Sequence, residues 1–246
     1  MNIILTGKNL DDIRPLLPDF GMTECENESE NIDLVVTHGG DGALLGAERL
    51  YPGIPKLPIR DMKTAPACAE HSPEKRLENF CNSPRKFTLP KLSGEFWGQE
   101  IYGINDIVIY NDDRSSALRY RVSIDGELYA AEVVGDGVVL ASIHGSTAYY
   151  RSITHSSFRT GIGLAFNNST EELNHLVLNE NSIVEIEILR GPAILSADND
   201  PVRIAIPEKA VVTLKQSGDY ATVYNLNEFM CPVCRRLRHP DKYPAN

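Results

Sequence analysis

The sequence predicts a two-part α+β chain: a small N-terminal α/β domain over residues 1–86, and a larger all-β, sandwich-like domain over 87–228. Three observations predict it. Strand-sized apolar runs at 2–6 and 32–37 are followed by helix-like spacing, and the second run leads straight into Gly39-Gly40-Asp41-Gly42. After about residue 86, short runs rich in Val, Ile and Tyr recur between turn signals. Residues 229–246 then form a basic, proline-containing tail with Cys231-Pro232-Val233-Cys234.

Each element has its own signal. Asn2 to Thr6 is a short apolar strand ended by Gly7. Residues 10–17 allow a brief helix, weakened by Pro15. Ile32 to Thr37 is the second strand, and Ala43 to Leu50 has helical spacing. Residues 55–60 contain Pro55 and Pro58 and read as an edge strand, because proline cannot donate to a ladder. Glu74 to Cys81 is a second helix. In the β-rich part, strands are expected at 87–89, 100–109, 117–124, 127–134, 138–142, 183–189, 193–196, 202–206, 210–215 and 220–224. Asp125-Gly126 between two of them is a hairpin turn.

Bulk properties exclude several classes. The apolar fraction of 42% is that of an ordinary globular protein, with enough core for one large or two small domains. A formal charge of -10 gives no general attraction for nucleic acid or an anionic membrane, so neither is expected as a partner. No run reaches the length of a membrane helix, and the first residues lack a charged leader. Five cysteines, an odd number, suit reduced thiols, so a cytoplasmic location is expected. A phosphorylated ligand would then need local devices: backbone N–H groups, a metal ion or single basic residues.

Three segments carry chemistry. In Gly39-Gly40-Asp41-Gly42 the glycines let backbone N–H groups approach a polyphosphate, and the following helix offers its positive end to the same anion. Asp41 has two possible jobs there: holding a magnesium ion, or taking the proton of an attacking hydroxyl. Alone, the segment is equally a plain strand-to-helix turn with Asp41 as the cap. Asn105-Asp106 is a polar pair inside an apolar run, costly to bury without partners. It suits a base edge and a ribose diol, or marks a bulge or turn. Gly135-Asp136-Gly137 opens an apolar strand that ends in His144-Gly145-Ser146-Thr147-Ala148-Tyr149, where a helix is expected to begin near Ser146. Its hydroxyls suit a ligand or a helix cap, and His144 and Tyr149 suit packing on a base.

Together and in this order, the three segments resemble the NAD kinase family, with Gly145 to Tyr149 the most specific part. Residues 176–178, 183–188 and 194–198 extend the resemblance, which covers roughly 32 to 215. It implies a two-domain fold with the active site in the cleft between. It also implies transfer of the γ-phosphoryl group of ATP, or of polyphosphate, to the 2′-hydroxyl of the adenosine ribose of NAD, with a divalent cation (Mg2+ or Mn2+). On that resemblance Asp41 is the base, and Gly39, Gly40 and Gly42 line the phosphate path. Asn105, Asp106 and Asp136 hold NAD. His144, Thr147, Ala148, Tyr149 and Ser152 belong to the adenine-side segment. Asp198 falls in the family's Asp-Gly-Gln loop. NAD and ATP are then the small-molecule partners, and a homo-oligomer is expected.

The departures fall on the substrate side. Ala43 stands where the family has Thr, Asp106 where it has Glu, His144 where it has Thr or Ser, and Val134 where a basic residue is common. Lys56 to His71 replaces a glycine-rich segment, and Asn199-Asp200 replaces Gly-Gln. A related kinase with a nucleoside, sugar or lipid acceptor, or a non-catalytic NAD(P)-binding sensor, are the alternatives. Outside the resemblance, Cys231 and Cys234 have the spacing of half a zinc site, with His239, Cys68, Cys81, His71 or a second copy to complete four ligands, or are plain thiols.

Overall fold

The computed structural model describes residues 1–26, 31–63, 71–113 and 115–229. They divide into two units: Met1–Leu89 with residues 221–229, and Pro90–Tyr220. The chain crosses between them within β5 (Lys86–Phe96) and again within β16 (Val211–Tyr224).

In the first unit, β1 (Asn2–Gly7), β2 (Thr23–Glu24), β3 (Leu34–Gly39) and β4 (Lys56–Arg60) lie in the order β2-β1-β3-β4, all parallel. The strand period of two decides what each face meets. Ile3, Leu5, Leu34, Val36, Leu57 and Ile59 pack against Ile13, Leu17, Leu77 and Phe80. Ile4 and Val35 pack on the other side against Ala47 of helix α1 (Asp41–Leu50). Helix α2 (Pro73–Asn82) starts where the sequence favours it: Ser72 accepts the Lys75 N–H at 3.3 Å and Pro73 occupies the first turn.

Three expectations change here. Residues 10–17 form no α-helix but two 3-10 segments, Leu10–Asp12 and Arg14–Phe20, because Pro15 and Pro18 deny the backbone its i−4 bonds. β4 is not an edge strand, since it pairs with β3 along its length and with β16 at Lys56–Val223. Pro58 is tolerated because the recorded β16 pairing stops at Lys56. Residues 221–228, which the sequence groups with the β-rich part, lie in the first unit. Glu228, in the short α4 (Leu226–Phe229), accepts from Arg76 at 2.7 Å and Asn79 at 3.1 Å. Arg60 donates to the Phe229 carbonyl at 3.1 Å and sits 4.8 Å from its ring.

The second unit packs two antiparallel layers over one core. One layer contains β16-β13-β8-β9, with β13 at Val184–Arg190, β8 at Leu118–Ile124 and β9 at Glu127–Gly135; the hairpin of β5 with β6 (Gln99–Gly103) joins it through β16. The other runs β12-β11-β10-β7-β14-β15. These strands are His175–Leu178, Ile162–Asn167, Gly137–Ala141, Asp106–Asn111, Ala193–Ala197 and Ile204–Ile206. Their inward side chains, among them Leu92, Ile107, Tyr120, Val138, Leu140, Leu164, Ile186 and Leu214, form the core. Asp125-Gly126 is the hairpin turn the sequence predicts, with φ of 53° and 82° and Ile124 facing Glu127.

The expected strand 100–109 is two strands in different layers, because the chain turns at Ile104-Asn105. The expected strands 210–215 and 220–224 are one, β16, since Gly218 stays extended. β11 carries no clear sequence signal, because Gly161 and Gly163 dilute its apolar run. Gly163 is required there: a Cβ would lie 2.2 Å from the Phe158 ring and 2.6 Å from the Tyr150 ring. Among the described residues, no helix is long and apolar enough to cross a membrane. Cys231, Cys234, His239 and Cys68 lie outside the described residues.

Gly163→Ala is expected to destabilise the chain by about 1–3 kcal/mol through overpacking. Chemical denaturation monitored by circular dichroism checks this; unchanged stability would contradict the packing.

Candidate active site

The first group of residues lies in the first unit. β3 ends on buried Gly39, whose φ of 156° and close neighbour Ala43 (2.8 Å from a would-be Cβ) leave no room for a side chain. Gly40 is the N-cap and Asp41 is the first residue of α1. The capping alternative therefore fails: the cap residue is a glycine, and no side chain caps the helix. Asp41 and Gly42 are exposed at the positive end of the helix, and the Ala43 N–H turns back onto the Gly40 carbonyl at 2.9 Å.

The second group lies in the second unit, on the layer containing β10. Its key is the bend between β6 and β7. Asp198, in the loop after β14 at φ 46°, turns its carboxylate onto three successive N–H groups: Ile104 at 2.7 Å, Asn105 at 2.8 Å and Asp106 at 3.0 Å. Ser142 holds the other side, donating its N–H to the Asn105 carbonyl at 2.9 Å and its hydroxyl to Ile104 O at 2.5 Å. Its Oγ accepts the Gly145 N–H at 3.1 Å. A Cβ on Gly145 would lie 2.0 Å from the Asn105 carbonyl oxygen. Only glycine lets the two segments touch, so this contact joins motifs forty residues apart in sequence.

The bend presents Asn105 and Asp106, which are 9% and 6% exposed. Asn105 Oδ1 is buried without a hydrogen-bond partner. Such an atom costs about 1–3 kcal/mol unless a water or another group satisfies it. Burial, and secondarily the Asp198 charge, push the Asp106 carboxyl up to about 7. Burial also pushes Asp198 up, against the opposing pull of its three amide bonds.

Ala141 faces Asp106 and Gly137 faces Tyr110 across β10 and β7. Asp136, just before Gly137, therefore lies at the other end of the ladder, roughly 15 Å from Asp106 by strand rise. A Cβ on Gly137, at φ 152°, would lie 2.2 Å from Ile109 O, so the glycine is again a close approach. Asp136 is exposed. Tyr149 belongs to neither end: burial and the charges of both Asp106 and Asp136 raise its hydroxyl pKa.

The helix expected at Ser146 begins later. Gly145–Thr147 is a 3-10 turn, and α3 is Tyr149–Thr154, with no side-chain cap. Ser146 is buried and donates to Phe158 O at 3.1 Å, so it serves the fold. Thr147 and Tyr149 are exposed, while Ala148 and His144 are half-buried. Ser152 turns its hydroxyl onto Tyr149 O at 2.7 Å. Local sequence gives no signal for Ser142, Asn167 or Asn168; an Asn-Asn pair closing a strand reads only as a turn. Among the described residues, no group of three His, Cys, Asp or Glu could hold a metal.

No family model matches the chain. An NAD kinase of Clostridium tetani (strain Massachusetts / E88) is 26% identical over 193 residues, covering 72% of this chain and 69% of that protein. An NAD kinase of Pseudomonas fluorescens (strain SBW25) is 25% identical over 247 residues, covering 92% and 82%. Over most of its length the chain is thus similar to NAD kinases. Solved structures agree on the fold. An NAD kinase from Archaeoglobus fulgidus in complex with ATP matches with a TM-score of 0.72 at 19% identity, over 93% of this chain and 96% of that one. Yeast NADH kinase complexed with NADH matches with a TM-score of 0.77 at 17% identity, over 100% and 89%.

The Asp106 shift has a sign that stability measurements can read. Its carboxyl titrates near 7 in the fold against an ordinary 3.8. Between those values the unfolded chain ionises while the fold retains the proton, so stability falls as pH rises through that window. Asp106→Asn removes this loss. Its melting temperature, relative to the parent chain, is expected to rise between pH 4 and pH 8. A pH-independent difference would contradict the burial of this group.

Proposed function

We propose that this chain transfers the γ-phosphoryl group of ATP to the 2′-hydroxyl of the adenosine ribose of NAD, making NADP. The observation that carries the reading is the contact of Gly145 with the Asn105 carbonyl, which joins the Asn-Asp pair to the Gly-Ser-Thr-Ala-Tyr turn. These are the two segments by which a family member would hold NAD. The family relationship supplies the reaction, and polyphosphate is the alternative donor.

The roles of individual residues are likewise our proposal. Asp41 takes the proton of the attacking hydroxyl late in an in-line transfer, where most of the rate comes from positioning and charge stabilisation. The amides around Gly39, Gly40 and Gly42 bind phosphate oxygens. Asn105 and Asp106 hold the adenosine part of NAD: Asn105 Oδ1 takes a donor from the ligand, and the Asp106 carboxyl takes the ribose hydroxyls. Asp136 engages the substrate further along. Thr147, Ala148 and Tyr149 line the adenine-side pocket, with His144 and Ser152 at its margins. Asp198 contributes through the bend it holds, because its carboxylate already serves three amides.

A divalent cation (Mg2+ or Mn2+) supplies neutralisation of the phosphate charge when bound with the triphosphate. The residues fit such an ion: it keeps most of its shell as water and phosphate oxygen and needs one or two carboxylates, and Asp41 is exposed for that purpose. A homo-oligomer and a cytoplasmic setting complete the proposal, on the family's pattern and the acidic, cysteine-poor composition. Light scattering of the purified chain checks the first.

Asp41→Asn is expected to lower turnover by at least about a hundredfold, in the range of a lost general base. NAD binding by calorimetry should stay measurable. Full turnover in this variant would remove Asp41 from the mechanism.

A further inference from the structure

Two side chains outside these roles grip two residues within them. β11 ends at Asn167, and Asn168 follows at φ 50°, a left-handed backbone that asparagine tolerates. The Asn167 carbonyl accepts the Asp136 N–H at 2.9 Å. Its Nδ2 donates to the Tyr149 hydroxyl at 3.2 Å. The Nδ2 of Asn168 donates to Asp136 Oδ2 at 3.0 Å. Gly135 permits this approach, since a Cβ there would lie 3.0 Å from Asn167 O and 3.1 Å from Asn168 O. One dipeptide therefore fixes a carboxylate from the turn between β9 and β10 and a phenol from the start of α3.

We infer that Asn167 and Asn168 are positioning residues for the dinucleotide, orienting Tyr149 and Asp136 so that each presents one defined polar atom to the ligand. This rests on the NAD kinase reading. Both side-chain bonds are solvent-exposed, and exposed polar contacts contribute little to folding. Their effect falls instead on the ligand. Because Tyr149 accepts from Asn167, its own O–H is directed away as a donor. Because Asn168 occupies Oδ2 of Asp136, Oδ1 remains to accept from a hydroxyl. Ordering these side chains beforehand removes an entropy loss from binding, which appears as tighter NAD affinity.

The test uses the full chain and three variants: Asn168→Gly, Asn168→Asp and Asn167→Ala. Kinetics of NADP formation, calorimetric affinity for NAD and thermal melting are measured for each. Glycine is at ease at φ 50°, so Asn168→Gly should melt within a few degrees of the parent chain. Its KM and Kd for NAD should nevertheless rise about tenfold, with a smaller fall in kcat. Asn168→Asp, which sets a second carboxylate against Asp136, should raise them further, and less so at high salt. Asn167→Ala should weaken NAD binding in the same direction. If Asn168→Gly and Asn167→Ala both keep KM and Kd within twofold, the inference is overturned while the kinase reading stands. If the parent chain binds NAD but makes no NADP, the kinase reading falls, and the Kd comparison still decides the inference. A parent chain that does not bind NAD overturns both.

Discussion

The second unit depends on one carboxylate. Asp198 accepts three consecutive backbone N–H groups at 2.7–3.0 Å, and those groups form the bend where the chain leaves β6 in one layer and starts β7 in the other. Without an acceptor, three donors would stay unsatisfied in a buried turn, at about 1–3 kcal/mol each. The same bend sets the direction of Asn105 and the burial of Asp106. It also brings the Asn105 carbonyl against Gly145. Layer crossing, polar pair and small-residue turn are therefore consequences of a single anchoring contact. Its charge carries a further effect, because Asp198 stands close enough to Asp106 to help keep that carboxyl protonated near neutrality.

Much of this could be read from the residues. The parallel strands of the first unit, the loop Gly39 to Gly42, the hairpin at Asp125-Gly126 and the family resemblance all rest on local pattern, and local pattern survives folding. What could not be read is non-local. Nothing near Asp198 says that its carboxylate serves amides ninety residues away; the sequence shows only its likeness to the family's Asp-Gly-Gln loop. Residues 100–109 look like one strand because apolar content cannot show a change of layer. β11 is hidden by Gly163, whose missing side chain makes sense only beside Phe158 and Tyr150. Pro58 suggests an edge, yet β4 is interior because its second neighbour pairs with it at Lys56.

The departures from the family pattern can now be placed. Asp106 is a methylene shorter than the usual Glu and sits 6% exposed, so its carboxyl is drawn into the sheet and not into solvent. Ala43 packs close to Gly39, at a tight strand-to-helix junction. Asp41 remains exposed at the start of α1, as the proposed phosphoryl transfer requires.

Incubation of the purified chain with NAD, ATP and Mg2+, followed by an enzymatic assay specific for NADP, puts the account to trial. The account predicts NADP that accumulates with time and enzyme, carrying the label of γ-labelled ATP on the 2′-oxygen. Absence of NADP with both ATP and polyphosphate as donor, or labelling of a different acceptor in preference to NAD, would contradict it.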